Sequence, residues 1–334
     1  MVETPRTLTA PAVTVLMAVH DGERHLRESV ESILGQSYRD FELLVVDDAS
    51  TDSSRTIVES YGDPRVRILD NEQNLGLTAS LNRGLRQARG RYVARQDADD
   101  VSDRNRLEHQ VELLDGRPDV ALVASHYRRI DDDGLHRGDR FVPTEPLDIR
   151  WRLLFLNAFA HSSVTFRRDV VDAIGGYDER YRYAQDYELW SRLARRHTVV
   201  AAPEILVSYR RSSDSLTATF DRAGDEVQQI SNENVAAVGF DPDRLDRAAA
   251  WQLLFGDPRA IATDRAVAAA RAIMALHEAF ASALALDTRI RRRQRQVVGR
   301  RLGRRVLRLG VERRDRRALA QGARLLATGN VGLY

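Results

Sequence analysis

Short, unbroken apolar runs alternate with helical segments through the first third of the chain. Val13-Thr-Val-Leu-Met-Ala-Val19 and Phe41-Glu-Leu-Leu-Val-Val46 have the length of strands. A strand that is apolar at nearly every position is one buried on both faces. Residues 24–35 follow with helical spacing (Leu26, Val30, Ile33, Leu34), and further helices are expected from Arg55 to Tyr61 and over 80–89. Residues 66–69 and 91–94 read as strands. Alternation at this pitch predicts βαβ units and an α/β fold with a mostly parallel sheet. From Val120 the pattern loosens: strands are expected at 120–125 and 162–166, and helices at 148–155, 169–174 and 186–196. Beyond about Leu216 the strand signals stop, and alanine-rich helical segments follow at 247–255 and 264–286.

Charge divides the chain more sharply than its net value of +2 suggests. Residues 289–334 hold 15 arginines against Glu312 and Asp315, a local net of +13, so the preceding 288 residues carry −11. All 51 basic residues are arginine. Ile290, Val297, Leu302, Val306 and Leu309 continue one apolar stripe through that run, which predicts a basic amphipathic helix over 289–317. Such a helix either lies on an anionic membrane or packs on its own acidic domain. It lacks the interleaved aromatics that stack on bases, so no nucleic-acid partner is expected. The chain has no cysteine, which excludes disulfides and thiolate chemistry. No apolar run approaches the roughly 18–20 residues of a membrane span. Residues 1–11 read as a disordered lead-in without the apolar core of a signal peptide.

The most chemically pointed segment is Arg91-Tyr-Val-Ala-Arg-Gln-Asp-Ala-Asp-Asp100, which delivers acidic side chains to the end of a strand. In open α/β sheets that edge binds nucleotides. Two adjacent carboxylates repel unless a cation or hydrogen-bond donors such as a ribose lie between them. Oxygen ligands of this kind suit Mg²⁺ or Mn²⁺. From these residues alone, an acidic loop capping the next helix, with Ser102 as N-cap before 104–114, is the alternative. No Gly-X-Gly-X-X-Gly follows the first strand, and no Gly-Lys-Ser/Thr phosphate loop occurs, which argues against a dinucleotide oxidoreductase or P-loop enzyme.

Four segments taken together resemble the family 2 glycosyltransferases of the GT-A fold, which transfer a sugar from a nucleotide-diphosphate donor with inversion. They are Val13–Glu23, Phe41–Ser54, Asn71–Gly76 with Gln96–Asp100, and His161–Leu193. The matching motifs within them are Val45-Val-Asp-Asp-Ala-Ser-Thr-Asp-Ser53, Asn74-Leu-Gly76, Gln96-Asp-Ala-Asp-Asp100, Gly175-Gly-Tyr-Asp-Glu179 and Gln185-Asp-Tyr-Glu-Leu-Trp190. The resemblance covers residues 12–215 and leaves 216–334 as a helical C-terminal region. It implies a donor site at Val19, Asp21, Asp48, Asn74 and Asp97, with Asp48 accepting from the pyrimidine of a UDP- or dTDP-sugar. Asp99 is implied as the ligand of Mn²⁺ or Mg²⁺, and Asp186 as the general base. His161, Gln185 and Asp100 are implied near the active site, and Arg211, beside Arg210, as a cover for the diphosphate.

Each of these residues also has a plainer reading. Asp48 can cap the turn at 50–52, Asp100 can orient its loop, Asp186 can stabilise a helix N-terminus, and His161 can be structural. Ala18 and Asp21 stand where the family often has Pro and Asn, and Gln185 where it often has Glu. The Gln-X-X-Arg-Trp signature of processive members is absent, which implies one sugar per encounter. The resemblance further implies a glycan or lipid-linked acceptor, cell-surface polysaccharide or glycolipid synthesis, and work in the cytoplasm or on the inner face of the membrane. A non-catalytic nucleotide-sugar-binding protein on the same fold is the competing class, and such a binder has no use for Asp186.

Overall fold

The computed structural model describes residues 10–211 and 220–328. Most of the expected lead-in, the expected domain boundary at 215 and Ser212–Asp214 of the expected closing loop lie outside them. The chain divides into two compact units, 1–230 and 231–334.

The first unit begins with β1 (Val13–Val19), α1 (Glu23–Leu34), β2 (Phe41–Asp47), α2 (Ser54–Glu59), β3 (Val66–Asp70), α3 (Leu77–Gln87) and β4 (Tyr92–Asp97). β3, β2, β1 and β4 pair in parallel. Successive β1 side chains point to opposite faces. Val15 and Met17 join Leu26, Val30 and Ile33 of α1 in one core, while Leu16 and Ala18 join Leu81 and Leu85 of α3 in the other. Helices on both faces are why the strand reads as one apolar run. Each fully buried Leu or Ile in these layers contributes about 1.5–3 kcal/mol relative to an exposed one.

The second half of this unit is β5 (Val101–Ser102), α4 (Arg106–Gly116), β6 (Val120–Ile130), β7 (His136–Arg140), α5 (Pro146–Leu153), β8 (Thr165–Arg167), α6 (Arg168–Ala173), α7 (Gln185–Arg196) and β9 (Thr198–Arg210). The sheet order is β3-β2-β1-β4-β8-β6-β9-β5, with β7 on β6. β8 runs antiparallel between β4 and β6, and β6 pairs in parallel with β9.

Two local expectations are corrected. Ser102 does not cap a helix, because it pairs with Val207 on β9 while its hydroxyl donates to Gln96 Oε1 at 2.8 Å. The next helix starts at Arg106 with Asn105 as N-cap. The strand expected at 162–166 starts only at Thr165. His161–Ser163 form a 3₁₀ turn, in which the Ser163 hydroxyl donates to Ala160 O at 2.7 Å.

After α8 (Phe220–Ala237), the second unit is helical: α9 (Arg247–Leu254), α10 (Thr263–Ala283), α11 (Thr288–Glu312) and α12 (Arg316–Thr328). α11 and α12 pack as an antiparallel pair at close range. A Cβ on Gly303 would lie 3.0 Å from Gly322 O, one on Gly310 2.8 Å from Leu319 N, and one on Gly322 2.7 Å from Leu307 N. Leu302, Val306 and Leu309 are fully buried, whereas Ile290 and Val297 are 42% and 62% exposed. The expected single stripe is therefore two faces. At 100° per residue Val297 and Leu302 lie about 140° apart around the helix. No helix among the described residues is long and apolar enough to cross a membrane.

Candidate active site

The loops after β1, β2 and β4 meet at the carboxyl edge of the sheet. Asp21 takes a left-handed conformation (φ 50°), and its Oδ1 accepts from Thr51 N at 2.7 Å and Asp52 N at 3.3 Å. Asp52 in turn accepts from Glu23 N at 2.9 Å, and Glu23 accepts from Ser53 N at 3.0 Å. The backbone N–H of Thr51 leads the causes that hold the exposed Asp21 carboxyl below its ordinary range. Asp21 thus stitches two loops together. Val19 is buried, and its carbonyl accepts from Asp48 N at 2.8 Å.

Asp48 is buried, and its carboxylate caps a turn other than the expected one. Oδ1 accepts from Asn71 Nδ2 at 2.5 Å and Leu75 N at 2.8 Å, and Oδ2 from Gly76 N at 2.8 Å. The turn at 50–52 is held instead by Asp47, which accepts from Ser50 N at 3.1 Å. Gly76 has φ 86°, which favours glycine. Asn74, exposed, accepts from the same Gly76 N at 3.0 Å.

The three acids after β4 have three different surroundings. Asp97 receives a charged hydrogen bond from Arg95 and a second from the Ser162 hydroxyl at 3.1 Å. Burial raises its pKa, but the Arg95 charge and these hydrogen bonds outweigh burial and hold it below the ordinary value. Asp99 is half-buried, and burial followed by the charge of Asp97 pushes it up to about 6. Asp100 is fully buried. Its Oδ1 accepts from Arg210 N at 2.7 Å, Oδ2 has no partner, and burial first and then Asp99 raise it well above the ordinary value.

Behind the loop lie two further guanidinium groups. Arg106 is fully buried and donates only to neutral acceptors: Gln110 Oε1, Gln96 Oε1, Ser102 Oγ and the carbonyls of Arg95 and Val164, at 2.8–3.2 Å. Burial pushes it down to about 9. Arg210 donates to Asp99 O and Asp131 O, both at 2.8 Å, to Asp132 O at 3.1 Å, and to Glu28 Oε2 at 2.6 Å. Its side chain is thus turned into the fold. Arg211 is exposed, with its backbone N–H on Ile130 O at 3.0 Å.

Asp186 sits in the first turn of α7. Asn157 Nδ2 donates to its Oδ2 at 2.6 Å, and Tyr187 N to its Oδ1 at 2.7 Å. Burial pushes it up to about 6, against these two hydrogen bonds, and the charge of Asp97 adds to the rise. Gln185, beside it, is buried with Oε1 unpartnered. His161 Nε2 meets the Tyr177 hydroxyl at 2.9 Å. Burial, reinforced by Arg95, pushes the imidazole down to about 3, which keeps it neutral. The charge of Asp97 thus raises both Asp99 and Asp186, although neither of those two acts on the other.

Several members of this site were not anticipated. Arg95 had a signal, as a cation directly after the apolar Tyr92-Val-Ala94 run of its strand. Arg106 had a weaker one, with Gln110 one turn later. Tyr177 lies within the Gly175–Glu179 motif and Ser162 opens the expected strand at 162–166, but nothing in either marks a site role, and Asn157 comes from a segment without readable spacing.

The donor set fits one hard cation. Asp97 already has a cationic partner, whereas Asp99 has its charge disfavoured by burial and by Asp97, and Asp100 keeps an unpartnered buried oxygen. Among the described residues no group of three or more His, Cys, Asp or Glu could hold a metal. Such an ion would therefore bind through one or two carboxylates and draw its remaining ligands from elsewhere.

Comparison with known proteins identifies the family and the fold. The family model for glycosyl transferase family 2 matches residues 14–175. The putative glycosyltransferase EpsE of Bacillus subtilis is 37% identical over 189 residues, 55% of this chain and 67% of that protein. The amylovoran biosynthesis glycosyltransferase AmsE of Erwinia amylovora is 32% identical over 207 residues, 60% of this chain and 77% of that protein. Among solved structures, S. aureus TarS 1–349 in complex with UDP-GlcNAc superposes with TM-score 0.58 at 16% identity, over 95% of this chain and 90% of that one. The mannosyltransferase PcManGT of Pyrobaculum calidifontis, in complex with GDP-Man and Mn²⁺, gives 0.54 at 20% identity, over 98% and 88%. The chain belongs to the family 2 glycosyltransferases, and its first unit has the GT-A fold.

Proposed function

We propose that this glycosyltransferase moves a sugar from a UDP- or dTDP-sugar to a hydroxyl of a glycan or lipid-linked acceptor. The transfer inverts the anomeric centre, depends on Mg²⁺ or Mn²⁺, and serves cell-surface polysaccharide or glycolipid synthesis in the cytoplasm or at the inner face of the membrane. The observation that carries the reading is Asp186: a half-buried carboxylate without a cationic partner among the described residues, oriented by Asn157 and the Tyr187 N–H, with a pKa raised to about 6. A base of that strength takes a proton from an attacking hydroxyl near neutral pH. One in-line displacement then inverts the centre without a covalent enzyme intermediate, as in inverting glycosidases.

Asp48 supports the donor side. Its oxygens are fixed by three N–H groups yet retain acceptor capacity for a pyrimidine N–H. Asp97, locked by Arg95 and Ser162, is suited to a ribose hydroxyl. Asp99 would hold the cation, with Asp97 beside it, and a divalent ion there offsets negative charge on the leaving diphosphate. The names of the relatives support the pathway class, since AmsE is named for amylovoran biosynthesis. TarS with UDP-GlcNAc and PcManGT with GDP-Man carry different nucleotides on this fold, so the choice of base falls to the surroundings of Asp48.

The test is hydrolysis of a panel of nucleotide sugars with and without Mn²⁺, run beside Asp186→Asn. Turnover of one uridine or thymidine donor, lost in the variant while donor binding by calorimetry is kept, is the expected result. Donor binding without turnover in the wild-type protein under any condition would turn the reading toward a non-catalytic binder.

A further inference from the structure

The apolar half of α11 is buried inside the second unit, so the helix offers its opposite side to the surroundings. At 100° per residue, Ile290, Arg293, Val297, Arg304, Arg308 and Val311 fall within one strip of the helix surface. All six are exposed. Among the described residues two acids flank this strip, both near Arg308: Glu312, which pairs with Arg308 at 2.9 Å, and Asp257, which feels the Arg308 charge but pairs with Arg259 at 2.8 Å. Against the strip lies a shallow cleft of about 440 Å³ lined by Val297, Arg300, Arg301, Arg304 and Arg305. Other arginines of the helix serve the interior of the unit. Arg305 donates to the carbonyls of Gln252, Leu253 and Gly256 at the end of α9, and Arg291 and Arg295 pair with Glu278.

We propose that this strip is a docking surface for an anionic bilayer, with phosphate headgroups on the arginines and the three aliphatic side chains in the headgroup layer. The proposal deepens the reading of an enzyme that works at a membrane, and it reverses the face that the sequence periodicity suggests. Positive charge alone would suit any polyanion. The aliphatic residues spaced along the whole strip are the feature that a nucleic acid has no use for, and no aromatic residue of α11 is present to stack on bases. A bilayer uses both kinds of side chain at once, because aliphatic burial and headgroup attraction add. Arginine stems also lie along an apolar boundary while their guanidinium groups stay in the polar layer.

The test is co-sedimentation of the full chain with vesicles of phosphatidylcholine alone and with 30 mol% phosphatidylglycerol, a composition chosen as roughly that of an anionic leaflet. The wild-type protein is expected to sediment only with the anionic vesicles, and less as salt rises. Arg293→Glu/Arg304→Glu is expected to lower partitioning about tenfold or more, and Val297→Asp several-fold. The charge-matched Arg86→Glu/Arg89→Glu, on the catalytic unit, should bind as wild type does. Equal sedimentation of all four proteins, no sedimentation of any, or retention on double-stranded DNA but not on anionic vesicles would overturn the proposal. Nucleotide-sugar hydrolysis by the same preparations tests the function separately. Lost vesicle binding with intact hydrolysis fails only the docking face, and the converse fails only the catalytic reading.

Discussion

In the first unit Arg95, Arg106 and Arg210 are at most 2% exposed and surround an acidic loop, whereas in the second unit Arg293 and Arg304 stand exposed on a helix. The chain has no lysine, so the same side chain fills both roles. A buried guanidinium is costly unless its fork is largely satisfied; Arg95 donates to Leu16 O, Gln96 O and Asp97 and leaves only its Nε without a partner among the described residues. Arg106 meets that condition with five neutral oxygens, and Arg210 with three carbonyls and Glu28. The positive charge this leaves behind Asp97, Asp99 and Asp100 lets three acids share a few residues of chain. On α11 the surroundings make no such demand, and the charge is displayed. Arginine content alone therefore says nothing about a polyanion partner; the burial of each guanidinium does.

The contrast can be broken by experiment. The largest expected effect is on catalysis: Asp186→Asn should lower kcat by on the order of 10²–10⁴ while donor affinity stays within error. Asp99→Ala, or chelation of the wild-type protein, should lower turnover at least about 10²-fold, and added Mn²⁺ should restore only the wild type. Full turnover in EDTA would remove the metal from the reaction. For the arginines themselves, Arg106→Met strands several buried acceptors and should cost about 3 kcal/mol or more of stability by denaturant titration. Below pH 6, kcat/KM should fall by about tenfold per pH unit, because Asp186, raised to about 6, takes up its proton as pH drops through that value. A flat profile down to pH 4.5 would assign the base elsewhere. The smallest effect belongs to Arg304→Met, within about 0.5 kcal/mol of wild type. If Arg304→Met cost as much stability as Arg106→Met, the distinction between interior and displayed arginine would fail.

β1 and β2 were legible because burial on both faces writes an apolar run, and β3 and β4, which carry Arg67 and Arg95, through their place in the strand–helix alternation. The acids Asp48, Asp97, Asp99 and Asp186 were legible through short motifs in a recognisable order. Partners arriving from distant segments were not. Asn157 reaches Asp186 across 29 residues and Leu75 N reaches Asp48 across 27, and neither separation leaves a period in the sequence. Ser162 reads as strand, yet its hydroxyl is taken by Asp97, which favours a tight turn there. On α11 the apolar residues were visible, but their count concealed that they belong to two sides of the helix. Packing against α9, α10 and α12 decided which side was inner.

That decision rests in part on Gly303, Gly310 and Gly322, where α11 and α12 approach too closely for a Cβ. These glycines carry no charge and face no solvent, yet they help set the rotational phase of α11, and with it which guanidinium groups look outward. An alanine at any of the three would force the pair apart or turn it, and a turn of one residue would move the arginine strip by about 100°. The outward electrostatics of this unit are therefore encoded partly in its smallest interior residues, and a surface-only redesign of α11 would be working against a dial it does not hold.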